Sequence, residues 1–164
     1  QDGWSVSDSV RALEQKGADV VGLNCFRGPD TMIDLIKEVR ASVSCHVGAL
    51  PVTYRTTPQE PTFFKLQDHH CQVCSPDGRP FPDALEPLYI NRYEVAEFAR
   101  LAYAANIRYV GLCCGANPAF IRQMTEAVGK EAINSKYSPD MSKHFLYGKD
   151  GTLKQHIRDL GGRA

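Results

Sequence analysis

The amino-acid sequence predicts an α/β fold with a parallel sheet, on three observations. Short apolar runs of strand length alternate with segments whose apolar residues recur at helical spacing. Their order is helix, strand, helix, strand, loop, helix, strand, helix. The strand-length runs are also apolar on successive residues rather than alternate ones, as parallel strands covered on both faces are. Finally, two of those runs finish in cysteine, one at Cys25 and the other at the adjacent pair Cys113 and Cys114.

Each element has a local reason. Residues 7–16 form the first helix, with Val10, Leu13 and the aliphatic stem of Lys16 on one face and Gly17 as the stop. The run 19–25 is the first strand. A helix over 29–43 carries Met32, Ile33, Ile36 and Val39 at helical spacing, and 45–50 is a second strand. The proline-rich stretch 51–90 follows without periodicity, and an irregular segment of that length is usually functional or disordered. Asn91 caps the next helix to about residue 105, with Glu94 completing a capping box. Its apolar stripe is Val95, Phe98, Ala99, Leu101, Ala102 and Ala105. The third strand covers 107–113. Asn117 and Pro118 then open a helix over 118–128, with Phe120, Ile121 and Met124 facing inward. Beyond Lys130 polar residues and glycine dominate, with a short helical pattern at 153–160. The chain thus divides into a folded part, 1–130, and a C-terminal extension, 131–164.

The 164 residues suffice for one domain with a sizeable core. Nineteen basic and nineteen acidic side chains balance, which gives no electrostatic reason to expect nucleic acid or an anionic membrane as partner. No apolar run approaches the length of a membrane span, and no signal peptide opens the sequence. Six cysteines without a signal point to a reducing, cytoplasmic setting, where metal binding or buried thiols are commoner than disulfides. A chain that starts with Gln1 rather than Met is expected to be processed or a piece of a longer one.

The strand ends carry the chemistry. In parallel α/β folds catalytic groups sit at the carboxyl ends of the strands, so Cys25, Cys113 and Cys114 are expected on one rim. Neighbouring strand residues face opposite ways, so the strand must break for Cys113 and Cys114 to converge, and Gly115 permits that break. The plainer reading of Cys113 and Cys114 is a pair of buried reduced cysteines, against which Cys25 in a matching place argues. Three thiolates suit zinc, and three protein ligands with an open fourth position mark a catalytic site rather than a structural one. A thiol bound in that position loses its proton yet stays a strong nucleophile, which fits alkyl transfer to sulfur.

Gly22-Leu23-Asn24-Cys25 and Gly111-Leu112-Cys113-Cys114-Gly115, with Pro118 beyond, resemble the zinc-binding segments of the homocysteine S-methyltransferase family. Leu85-Glu86-Pro87, the stretch from Tyr89 to Tyr93, and Asp140-Met141-Ser142-Lys143 look most like its betaine-using branch. The resemblance covers roughly residues 5–128. It implies the C-terminal portion, about three βα units, of a (β/α)8 TIM barrel that is oligomeric at full length. It also implies that zinc on Cys25, Cys113 and Cys114 binds homocysteine, whose sulfur takes a methyl group, from betaine or another donor such as S-methylmethionine, and leaves as methionine. The residues that bind the amino acid and the donor are placed upstream of residue 1. A catalytically silent partial barrel acting through subunit association is the alternative.

Other residues are weaker candidates. Tyr54 lies close enough to the rim to line a substrate pocket, and Asn24 could orient a zinc ligand through its amide. Asp68-His69-His70-Cys71-Gln72-Val73-Cys74 could form a zinc knuckle, or an exposed redox-sensitive loop. Cys45 is expected in the core and His46 as a buried hydrogen-bonding residue. No glycine-rich phosphate loop and no serine nucleophile motif is present.

Overall fold

A computed structural model describes residues 3–74, 78–144, 155, 156 and 159. Contacts divide the chain into two compact units, Gln1–Ala132 and Ile133–Ala164. In the first unit, α1 (Val6–Gln15), β1 (Val20–Asn24), α2 (Pro29–Ser42), β2 (His46–Leu50), α3 (Arg92–Ala104), β3 (Tyr109–Val110) and α4 (Pro118–Ala127) follow in order. The three strands form one parallel sheet, in the order β1, β2, β3. Val21 pairs with Val47 and Gly22 with Gly48, and Gly48 pairs in turn with Tyr109. The α/β class with a parallel sheet is therefore observed. In the second unit, short 3-10 turns occupy Ile133–Tyr137 and Met141–Lys143. The helix expected at 153–160 falls largely outside the described residues.

The helices begin where capping side chains satisfy free N–H groups. Asn91 Oδ1 accepts from Tyr93 N and Glu94 N, while Glu94 Oε2 accepts from Asn91 N at 2.7 Å, a full capping box. Asn117 Oδ1 accepts from Phe120 N at 3.0 Å, with Pro118 as first helical residue. At α1 the cap is Ser5, which accepts from Asp8 N, so the helix starts a residue earlier than periodicity suggests.

One face of the sheet packs under the helices. Val21, Val47 and Ala49 meet Met32, Ile36 and Val39 of α2, and Val95, Phe98 and Ala102 of α3 complete the main core. The other face is open: Val20 is 50% exposed and Tyr109 62%. This corrects the expectation of strands covered on both faces. Leu13, Leu101 and Ile121 are also exposed, so the true core-facing stripes are narrower than the apolar pattern. β3 covers only Tyr109–Val110 of the expected 107–113, yet Gly111 N still donates to Ala49 O, which keeps the following residues alongside β2.

The proline-rich stretch is not featureless. Val52, Tyr54, Phe63, Leu66 and Leu85 form a second apolar cluster, against which Cys25, Tyr89 and Cys113 pack. Cys71 and Cys74 are joined as a disulfide, where the composition favoured metal binding or buried thiols over disulfides. Their Cα atoms, 5.7 Å apart, lie within the range a disulfide spans, which the CxxC spacing alone does not distinguish from a metal clip. His46 is exposed rather than buried. Cys45 is half-buried against the main core, and burial together with the Glu14 carboxylate raises its thiol pKa. Among the described residues, no helix is long and apolar enough to cross a membrane.

Candidate metal centre

The segment just after β2 assembles the site. Leu50 O accepts from Cys25 N at 2.9 Å, and the adjacent Pro51 O accepts from Cys113 N at 2.7 Å. Successive carbonyls of an extended chain point to opposite sides, so two neighbouring residues hold the end of β1 on one side and the segment after β3 on the other. Thr53 N then donates to Cys114 O at 3.0 Å.

Both thiol-bearing ends leave regular strand geometry at the sulfurs. Cys25 has φ 69° and Phe26 φ 65°, a left-handed pair that is uncommon for side chains of this size. Arg27 N donates to Cys25 O at 2.8 Å, closing a three-residue turn at the end of β1. On the other side, Ala116 N donates to Cys113 O at 3.1 Å, and Gly115 has φ 82°, the position where a type II turn needs glycine. Such a turn lets two consecutive cysteines face one point, as the sequence required. A Cβ on Gly115 would also overlap Thr53 Oγ1 and stand 2.9 Å from the Tyr89 hydroxyl.

Cys25 Sγ lies 3.5 Å from Cys114 Sγ, and Cys113 Sγ lies 3.9 Å from Cys114 Sγ. All three sulfurs are within 4.8 Å of one another, so this donor set can hold a metal ion. Burial opposes ionisation of Cys25, but hydrogen bonds from the Cys113 thiol and from the backbone N–H of Phe26 outweigh it, and its pKa is lowered. Cys113 is raised by burial and by Cys25. Cys114 is pushed up to about 11 by burial and by its two sulfur neighbours. One negative charge in the cluster thus opposes the next, and a bound cation would remove that opposition.

The family model for homocysteine S-methyltransferase matches residues 1–128. This chain belongs to the homocysteine S-methyltransferase family. It is 37% identical over 147 residues to betaine–homocysteine S-methyltransferase 1 of Danio rerio, covering 89% of this chain and 34% of that protein. It is 34% identical over 162 residues to the protein of the same name from Xenopus tropicalis, covering 95% and 36%. It is 30% identical over 155 residues to S-methylmethionine–homocysteine S-methyltransferase of Pongo abelii, covering 89% and 38%. The chain spans about a third of the length of these relatives.

Tyr54 lies beside the Cys113–Ala116 turn, its hydroxyl 3.1 Å from where a Cβ on Gly115 would stand. It is buried, stacks on Phe63 with centroids 5.6 Å apart, and meets Tyr89 edge-on at 5.0 Å. Burial, a hydrogen bond with Tyr89 and the nearby negative groups push its hydroxyl up to about 12, so it stays protonated. Tyr89 donates to Gly115 O at 3.1 Å and Thr53 Oγ1 to Cys114 O at 3.2 Å. Thr53 and Tyr89 thereby support the turn that carries two thiols. Sequence reasoning assigned them no role, because nothing in a linear pattern marks which hydroxyls meet a distant turn. Asn24 ends β1 and lines a shallow hollow on the open sheet face with Leu50 and Tyr109. Among the described residues, no hydrogen bond joins its amide to the three thiols.

Proposed function

We propose that this chain supplies the thiol-activating part of a zinc-dependent homocysteine S-methyltransferase, with Cys25, Cys113 and Cys114 as the metal ligands. The observation that supports it most directly is the sulfur spacing. Thiolates on a tetrahedral zinc, with bonds of about 2.3 Å, stand about 3.8 Å apart. The separations of 3.5 and 3.9 Å bracket that value, so the residues present fit the ion. Zinc held there would keep a homocysteine thiol ionised in the fourth position at neutral pH.

The chain's own residues do the remaining work. The Leu50 and Pro51 carbonyls fix the two thiol-bearing ends, and Thr53 and Tyr89 hold the Cys113–Ala116 turn. Homocysteine sulfur gains a methyl group as its S–C bond forms, the donor loses that methyl, and the thiol proton goes to solvent. Betaine is the donor named by two of the relatives quoted above, and S-methylmethionine by the third. We assign betaine here, with S-methylmethionine as the alternative. Residues 1–130 belong in this reading to the C-terminal portion of a (β/α)8 barrel, completed by further chain in a cytoplasmic oligomer, and 131–164 are its extension. Asn24 and Tyr54 are assigned to the substrate side of the site.

A Cys113→Ala variant tests the reading. Elemental analysis is expected to show zinc lost with the substitution, and methionine formation from homocysteine and betaine to fall by about a thousandfold or more, as when a metal catalyst is removed. Normal turnover with zinc retained would overturn it. The open sheet face, with Val20 and Tyr109 exposed, favours a second reading in which the unit acts through association with another subunit. Zinc bound in full by a native assembly that transfers no methyl group would support that second reading instead.

A further inference from the structure

The loop after Leu66 gathers a second set of soft and hard donors, away from the rim thiols in sequence. The Asp68 carboxylate and the sulfurs of Cys71 and Cys74 converge, with ligand atoms within 4.8 Å of one another and all three residues half-buried. The backbone holds this arrangement from both sides. Cys71 N donates to Asp68 O at 3.1 Å, which closes the turn, and Asp68 N donates to Gly78 O at 3.2 Å, which ties the turn to the far end of the loop. His70 N donates to Asp68 Oδ1 at 3.0 Å, which orients the carboxylate.

We propose that Asp68, Cys71 and Cys74 form a second cation site, which takes a soft divalent ion such as zinc once the Cys71–Cys74 disulfide is reduced. The same two sulfurs cannot serve as a disulfide and as thiolate ligands at once, so the bond excludes the ion and the ion protects the thiols. A Cα separation of 5.7 Å lets side-chain rotation open the sulfurs to the spacing of about 3.8 Å found on tetrahedral zinc, without moving the backbone. Two thiolates alone offset a divalent charge, the carboxylate adds a third anionic ligand that leaves the site with one net negative charge, and a fourth position is left for water. Reduction takes two molecules of a small thiol. The first attacks one protein sulfur and releases the other as thiolate. The second attacks the mixed disulfide and leaves as the small-molecule disulfide, so two electrons reach the protein sulfurs. Any thiol protons displaced by the ion go to solvent.

The test counts zinc on the purified chain with and without a phosphine reductant, which breaks the disulfide without itself supplying a thiol ligand. Wild type is compared with Cys71→Ser/Cys74→Ser and with Cys25→Ser/Cys113→Ser/Cys114→Ser. After reduction, wild type is expected to hold about one zinc more per chain than Cys71→Ser/Cys74→Ser, and this difference is expected to vanish before reduction. The rim variant is expected to take up about one zinc on reduction, which separates this site from the rim whatever the rim itself binds. Asp68→Asn leaves both cysteines in place and is expected to weaken the reductant-dependent zinc by about tenfold or more. Equal zinc in reduced wild type and reduced Cys71→Ser/Cys74→Ser would overturn the proposal, as would an Asp68→Asn variant that binds like wild type.

Discussion

Gly115 shows how much a single residue can decide. Its φ of 82° and the overlap a methyl group would make with Thr53 Oγ1 are separate obstacles to any side chain there. Gly129 offers the control, because it too has positive φ, 74°, but nothing lies within 4 Å of the Cβ it lacks. G129A is expected to cost about 1 kcal/mol, the backbone penalty alone. G115A is expected to cost more, about 2–4 kcal/mol, because the Cys113–Ala116 turn must move against Thr53 and Tyr89. Thermal unfolding checks the order, and zinc content checks the consequence. G129A is expected to bind metal as wild type does, whereas G115A displaces Cys114 and loses it. Equal melting points for the two variants would show that the turn relaxes freely, and that its geometry does not set the site.

At the level of elements, a side chain of one helix locks the start of a neighbouring strand. Glu14 Oε1 in α1 accepts from Ser44 N, Cys45 N and Ser44 Oγ, at 2.7, 2.7 and 2.6 Å, just ahead of β2. The Ser44 hydroxyl first, then the Cys45 and Ser44 N–H groups, lower its pKa to about 2. An unfolded chain returns it to about 4.3. The folded form therefore binds this proton less readily, so the contribution is fully present above about pH 4.5 and fades as pH falls toward 2. In urea titrations, Glu14→Gln is expected to be less stable than wild type at neutral pH, with the gap closing as the medium approaches about pH 2. A gap that stays constant across that range would assign the effect to packing instead. This joint was invisible in the sequence, which showed α1 and β2 but not that Glu14 reaches across 30 residues. What was legible at this scale were features written within one turn of chain. The Asn91–Glu94 box and the Asn117-Pro118 start set α3 and α4 where expected, because a cap needs only its own neighbours. Exposure was harder to read: Val20, Leu101 and Ile121 look like core residues by type, and only the packing partners decide. The CxxC of Cys71 and Cys74 left two readings open for a similar reason, since its spacing serves a disulfide and a metal clip equally.

For the whole molecule, the rim thiols bring two distant stretches together across the end of a third, so an ion bound by all three would act as a folding term. Cys25 follows β1, Cys113 and Cys114 follow β3, and the backbone that joins them comes from the end of β2. The rim was legible because a parallel α/β order places all strand ends on one side, so three cysteines at such ends must share it. An ion that binds all three thiolates binds the folded chain far better than the unfolded one. At a free zinc level a thousand times its dissociation constant, the folded state gains about 4 kcal/mol. For a folded unit of this size that raises the melting midpoint on the order of 10 °C. Adding a strong chelator is expected to reverse the shift, and Cys25→Ala/Cys113→Ala/Cys114→Ala is expected to show neither rise nor fall. The shift also carries a pH signature. Cys114 holds its proton up to about 11 when no cation is near, so zinc must displace protons to bind. The zinc-dependent rise is thus expected to shrink steadily as the medium is acidified from about pH 8 to about pH 5, as protons compete for the thiolates. A rise that persists undiminished in acid would point to carboxylate ligands, and the three thiols would lose their place as the centre.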